Sequence, residues 1–86
     1  MKLDRKKGLV TSENFTIKYL PFFYKGADFI AHFNRKRPFL VTQLEKGEVI
    51  SKQYFQDAQA AAESLEISHK EVIHITFFFR TCLNGL

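Results

Sequence analysis

Few residues of this 86-residue chain can do chemistry: it has three histidines and a single cysteine. His32 and His74 fall in segments that we predict as strands, at positions that share a face, which would suit a metal pair or histidine-assisted cleavage of a phosphodiester. No carboxylate or lysine is placed beside either of them by spacing. We therefore predict that the protein is not an enzyme. We interpret both as half-buried strand residues, and His69 as a solvated turn residue.

Known catalytic and metal-binding motifs do not occur in the sequence. It contains no glycine-rich phosphate loop, dinucleotide fingerprint, paired-histidine zinc motif or nucleophile elbow. A lone cysteine, Cys82, excludes an internal disulfide, and with no basic neighbour closer than Arg80 it is predicted to be a passive thiol. We expect no cofactor, no metal and no small-molecule substrate.

Positive charge is concentrated in two segments. Residues 1–8 carry a net charge of +3, and the predicted turn over residues 34–38 carries three cations. Because the whole chain has a net charge of only +4, the residues outside these segments sum to −2. Like charges at one tip repel each other, so an anionic partner is the natural explanation for them. The predicted binding residues are Lys2, Arg5, Lys6, Lys7, Arg35, Lys36 and Arg37.

These cations favour contact with phosphate. Arginine pairs with phosphate oxygens through two N–H donors, whereas lysine acts as a point charge. The competing interpretation is a solvated hairpin tip and a polar tail, since charges at loop tips are common. Phe33 and Phe39 flank the turn, where they either stack on unpaired bases or belong to the core.

The elements that must position these residues begin with a sheet. We predict a flexible basic arm over residues 1–13 and a single α+β domain over residues 14–86. Gly47 is expected at a positive φ in a hairpin loop over residues 45–48. Alternating apolar residues predict strands over residues 15–19, with an extension over 22–24, and over residues 29–33, 39–44 and 49–55.

One helix and a last strand complete the predicted fold. Asp57 is a suitable N-cap for a helix that runs to about Ile67. Its apolar stripe consists of Ala58, Ala61, Ala62 and Leu65. Apolar residues on both faces of residues 71–80 predict the final strand. The prediction is an antiparallel sheet of four or five strands with one helix packed on one face, in the order β-β-β-β-α-β.

The predicted sheet is more apolar than one helix can cover. An alanine stripe covers little area, and several strands are apolar on both faces. The open face would be covered by the C-terminal tail, by the segment around residues 21–24, by a second copy of the chain in a homodimer, or by a macromolecular ligand. For a protein partner, the predicted contacts on this face are Tyr54, His74 and Phe78.

Two resemblances bear on function. Over residues 29–65, the order of three strands and a helix with basic hairpin residues resembles the three-stranded DNA-binding modules of integrase arms and plant AP2 domains. The predicted strand over residues 71–80 departs from those modules. In size and in its lack of catalytic residues, the chain is similar to small phage- and plasmid-encoded inhibitors, including anti-restriction and anti-CRISPR proteins.

Two functions are therefore expected, and both are non-enzymatic. The first is binding of nucleic acid through the basic turn and the N-terminal arm. The alternative is an inhibitor or adaptor, of the anti-defence type carried by mobile elements, that docks on a nucleic-acid-handling complex. No apolar stretch follows the positive N-terminus and no run approaches ~18 apolar residues, so we expect a cytoplasmic protein without membrane contact.

Overall fold

A computed structural model describes residues 1–22 and 37–84 of the chain. A five-stranded antiparallel sheet, with its strands in sequence order, is followed by two helices. The prediction of an α+β fold with an antiparallel sheet is confirmed. The strands are β1 (Lys2–Asp4), β2 (Leu9–Thr11), β3 (Phe15–Tyr19), β4 (Phe39–Glu45) and β5 (Glu48–Phe55), and the helices are α1 (Ala58–Glu63) and α2 (His69–Asn84).

Strands β3, β4 and β5 lie where alternation predicted them. Phe15, Ile17 and Val41 point to one face and are buried. Phe22 does not extend β3, because a 3₁₀ turn (Leu20–Phe22) follows that strand and Pro21 has no N–H to donate to a ladder. The predicted strand over residues 29–33, with His32, lies outside the described residues.

The hairpin between β4 and β5 has a two-residue loop. Lys46 and Gly47 have φ angles of 53° and 83°, so the predicted positive φ at Gly47 is confirmed. Positive φ at both loop residues matches the right-handed twist of the strands that they join. The register shifts between Gln43 and Leu44, which marks a β-bulge near the tip of the hairpin.

The N-terminal residues belong to the sheet, and the prediction of a flexible arm over residues 1–13 is wrong for them. β1 pairs with β2, and β2 pairs with β3. Val10 is fully buried, opposite Ile17 in the register. The sequence concealed this hairpin because each strand has only three residues, too few for an alternating pattern to stand out.

Helix α1 begins as predicted but ends early, at Glu63. Asp57 is its N-cap, and a side-chain oxygen of Asp57 accepts a hydrogen bond from the backbone N–H of Ala60 at 2.7 Å. All four residues of the predicted apolar stripe are buried: Ala58, Ala61, Ala62 and Leu65. The prediction that this face packs against the sheet is confirmed.

The final strand predicted over residues 71–80 is wrong, because this segment lies within α2. Ser68 precedes the helix, and its Oγ accepts a hydrogen bond from the backbone N–H of Glu71 at 3.2 Å. Five buried residues follow at helical spacing: Val72, Ile75, Phe78, Phe79 and Cys82. Valine, isoleucine and phenylalanine favour strands intrinsically, but burial of this stripe on the sheet overrides that preference.

The two helices together cover one face of the sheet. The core joins β2, β3 and β4 to both helices, and the ring centroids of Phe39 and Phe79 lie 5.2 Å apart in an edge-to-face contact. The prediction of a single covering helix is corrected accordingly, since α2 supplies the second cover that the apolar strands require. The opposite face of the sheet carries mostly polar side chains.

Candidate nucleic-acid interface

The N-terminal basic turn and Arg37, the described cation of the second cluster, lie at the same end of the sheet. The turn that holds Arg5, Lys6 and Lys7 joins Asp4 of β1 to Leu9 of β2, and Leu9 is paired with Lys18. Strand β3 ends one residue later, at Tyr19, which is paired with Phe39, the first residue of β4. Arg37 is exposed just before that strand. We call this end the basic end; its described cations are Arg5, Lys6, Lys7, Lys18, Arg37 and Arg80, against the carboxylates Asp4 and Asp57.

The turn between β1 and β2 is fixed to the C-terminal part of α2. The guanidinium Nη2 of Arg5 donates a hydrogen bond to the backbone oxygen of Thr81 at 3.3 Å. The thiol of Cys82 donates to the backbone oxygen of Arg5 at 3.1 Å. A cation near the last carbonyls of a helix is favourable, because the helix dipole is negative there. Arg5 thus holds the turn in place, while Lys6 and Lys7 extend exposed from it.

The opposite end of the sheet is acidic. It comprises the turn between β2 and β3, the loop between β4 and β5, and the start of α2, and Ser12, Asn14, Glu66 and Glu71 line one pocket there. We call it the acidic end; its carboxylates are Glu13, Glu45, Glu48, Glu66 and Glu71, against the cations Lys46 and Lys70. The molecule is therefore electrostatically polarised along its strands, which favours one orientation toward a charged partner.

Between the two ends lies the open face, the side of the sheet that the helices do not cover. The strand register aligns its side chains in two rows that cross all five strands. The row nearer the acidic end, the threonine row, consists of Lys2, Thr11, Thr16, Thr42 and Lys52. The row nearer the basic end, the leucine row, consists of Asp4, Leu9, Lys18, Leu40 and Tyr54.

The predicted phosphate contacts divide among these surfaces. Lys6, Lys7 and Arg37 lie at the basic end, Arg5 is engaged with α2, and Lys2 lies on the open face. Arg35 and Lys36 lie outside the described residues. The sequence reasoning missed Lys18 and Lys52, although alternation carried the signal for Lys18, since it lies between Ile17 and Tyr19 and must point to the open face.

The predicted protein contacts do not share one face. Tyr54 is on the open face and is 43% exposed, whereas His74 and Phe78 are on α2. Phe78 is 8% exposed and belongs to the core, so its prediction as an exposed contact is wrong. The prediction of a strand at His74 is also wrong, because His74 lies on a helix, whereas His32 lies outside the described residues. His69 is exposed as the first residue of α2.

An exposed apolar ridge runs along α2. Ile73 and Phe77, one helical turn apart, are 55% and 60% exposed. They border a groove of about 370 Å³ between α1 and α2, and Arg80 also lines it. Single exposed apolar residues are ordinary, but two neighbours beside a groove resemble a docking surface.

No family model, curated protein or solved structure matches the chain. The function is therefore inferred from the geometry of the site. Within residues 1–22 and 37–84, neither helix is long and apolar enough to cross a membrane. In the same residues, no group of three or more histidine, cysteine, aspartate or glutamate side chains is placed to hold a metal ion.

Proposed function

We propose that the protein binds nucleic acid, without catalysis, through the basic end of its sheet. The observation that carries this proposal is the convergence of cations from four separate chain segments on one end, while most of the described carboxylates lie at the other. Exposed like charges that are held together repel each other, and a polyanion relieves that repulsion. Release of counterions from the phosphates would supply much of the affinity.

The test compares two double variants with the same change in net charge. Lys6→Gln/Lys7→Gln removes two cations from the basic end, and Lys46→Gln/Lys70→Gln removes two from the acidic end. Affinity for a labelled oligonucleotide is measured by fluorescence anisotropy between about 50 and 200 mM salt. We expect the basic-end variant to bind more weakly and to lower the slope of log affinity against log salt by about 1.4 to 1.8.

The control variant should keep the wild-type affinity and slope. Equal losses of affinity in both variants would mean that binding depends on the net charge of the protein and not on the position of the cations, which contradicts the proposal. Absence of binding by the wild type at low salt, to both single-stranded and duplex DNA and RNA, would end it.

The second candidate function is docking on another protein, as an inhibitor or adaptor of a nucleic-acid-handling complex. The exposed ridge of Ile73 and Phe77 favours it. A pull-down from the native host with Ile73→Ser/Phe77→Ser should lose any partner that this ridge binds. The matched control is Val49→Ser/Ile50→Ser, which changes another exposed apolar pair. A partner retained by both variants, or no partner for the wild type, would count against this candidate.

A further inference from the structure

We infer that the bound nucleic acid is single-stranded and lays its unpaired bases across the open face. The inference rests on the proposed function and specifies its ligand. The sugar-phosphate chain would follow the basic end, the base faces would contact the leucine row, and the base edges would reach the threonine row. Three observations about the open face support this arrangement.

The first observation is the chemistry of the leucine row, which lies beside the basic end. Leu9 and Leu40 are partly exposed, and Tyr54, paired with Leu40, is 43% exposed. Aliphatic and aromatic side chains contact the flat faces of bases, and such contacts tolerate any sequence because every base has a π-face. In a duplex those faces are stacked on neighbouring base pairs, so this row suits unpaired bases.

The second observation is the threonine row, one step farther from the phosphates. Thr11, Thr16 and Thr42 are partly exposed and lie opposite one another in consecutive strands. The two rows are about 6.8 Å apart along each strand. A base that lies flat on the leucine row would therefore point its hydrogen-bonding edge at the threonines. A threonine hydroxyl both donates and accepts, so it can bond to the edge of any base.

The third observation is charge. Lysines lie on the open face at both edges of the sheet, Lys2 and Lys52, and at its centre, Lys18. Asp4, at the β1 edge of the leucine row, is the one carboxylate among the ten residues of the two rows. Five strands at a spacing of about 4.8 Å give a path about 19 Å long from β1 to β5. The surface is thus cationic overall, and the charges of Asp4 and Lys18 cancel in the leucine row, where bases would lie.

The experiment separates contacts to bases from contacts to phosphates. Wild-type protein is titrated into three probes of equal length, about 16 nucleotides: a mixed-sequence single strand, the corresponding duplex, and an abasic strand that keeps the phosphates. We expect the single strand to bind at least about tenfold more tightly than the other two. Equal affinity for all three would overturn the inference and leave the proposed function standing.

Neutral variants then locate the base contacts. Thr11→Val/Thr16→Val/Thr42→Val keeps the β-branched shape and the charge of the open face. We expect it to weaken binding of the single strand about tenfold, without a change in the salt slope and without an effect on the abasic strand. Thr76→Val, the same substitution on α2, is the control. Unchanged affinity in the folded triple variant would contradict the placement of bases on the open face.

Discussion

At the residue scale, Gly8 is constrained both by its backbone and by its neighbour. Its φ is +59°, and a Cβ added to it would lie 2.7 Å from Cδ2 of Phe22. We predict that Gly8→Ala lowers the free energy of unfolding by about 2–5 kcal/mol, the sum of left-handed strain and overpacking. Urea unfolding at constant m-value measures the loss.

Gly47 provides the control for this prediction. Its φ is +83°, but nothing lies within 4 Å of an added Cβ. Gly47→Ala should therefore cost only the backbone strain, about 1–2 kcal/mol. Equal losses at the two positions would show that the ring of Phe22 moves aside without cost.

The thiol of Cys82 makes the free energy of unfolding depend on pH in the alkaline range. Burial raises the pKa of its thiol, although the nearby Arg5 acts in the opposite direction. Since the unfolded thiol ionises first, at about pH 8.5, the stabilising contribution is complete below that pH and is lost as the pH rises further. We predict that the free energy of unfolding falls as the pH rises above about 8.5 in the wild type and falls less in Cys82→Ala.

The pH dependence that the Cys82 thiol causes can be separated from that of a second ionisable group, the Tyr19 hydroxyl. Burial also raises the pKa of Tyr19 above its ordinary value of 10.0, so its contribution changes only at higher pH. Chemical denaturation at a series of pH values measures both proteins. If the free energy of unfolding changed equally with pH in wild type and Cys82→Ala above about pH 8.5, the buried thiol would not be the cause.

At the element scale, α2 depends on its first turn. The hydroxyl of Ser68 caps the helix through the backbone N–H of Glu71. We predict that Ser68→Ala lowers the free energy of unfolding by about 0.5–2 kcal/mol, whereas Ser68→Asp, which is also a good N-cap, keeps the wild-type value. Thermal or urea unfolding measures both variants, and a fully stable Ser68→Ala would exclude the cap as a determinant of α2.

The same turn carries a signal that identifies the helix from sequence. Serine followed three residues later by glutamate is a capping box, and Val72, Ile75 and Phe79 continue at helical spacing. The run of β-branched and aromatic residues obscured it, because that composition also suits a strand. By contrast, the hairpin of β4 and β5 could be predicted, since its alternation and its loop glycine agree.

At the scale of the whole molecule, the N-terminal hairpin is part of the folding unit. Val10 is fully buried and β2 pairs along β3, so deletion of residues 1–11 should lower the free energy of unfolding by more than about 2 kcal/mol. Thermal unfolding followed by circular dichroism checks this. Lys6→Gln/Lys7→Gln, which keeps the hairpin, should stay within about 0.5 kcal/mol of wild type. A truncated protein of wild-type stability would restore the arm interpretation.

The candidate interface could be predicted only in part. The two basic clusters are visible in the sequence, and so is the exposure of Lys18 through strand alternation. The proximity of Arg37 to the turn between β1 and β2 was not visible, because it depends on β1 to β4 pairing in sequence order. The threonine row was hidden for the same reason, since its three threonines are separated in the chain and meet only through the register.

The sequence by itself determined the α+β class, three of the strands, the start of α1 and the confinement of positive charge to two segments. These features rest on local periodicity, capping and composition, which nearby residues specify. The tertiary structure decided that residues 71–80 are helical, that the N-terminal segment joins the sheet, and that most of the described cations and most of the described carboxylates lie at opposite ends. Each of those outcomes depends on burial or pairing between residues distant in the chain, because the local signals conflict over residues 71–80 and are too short to decide in β1 and β2.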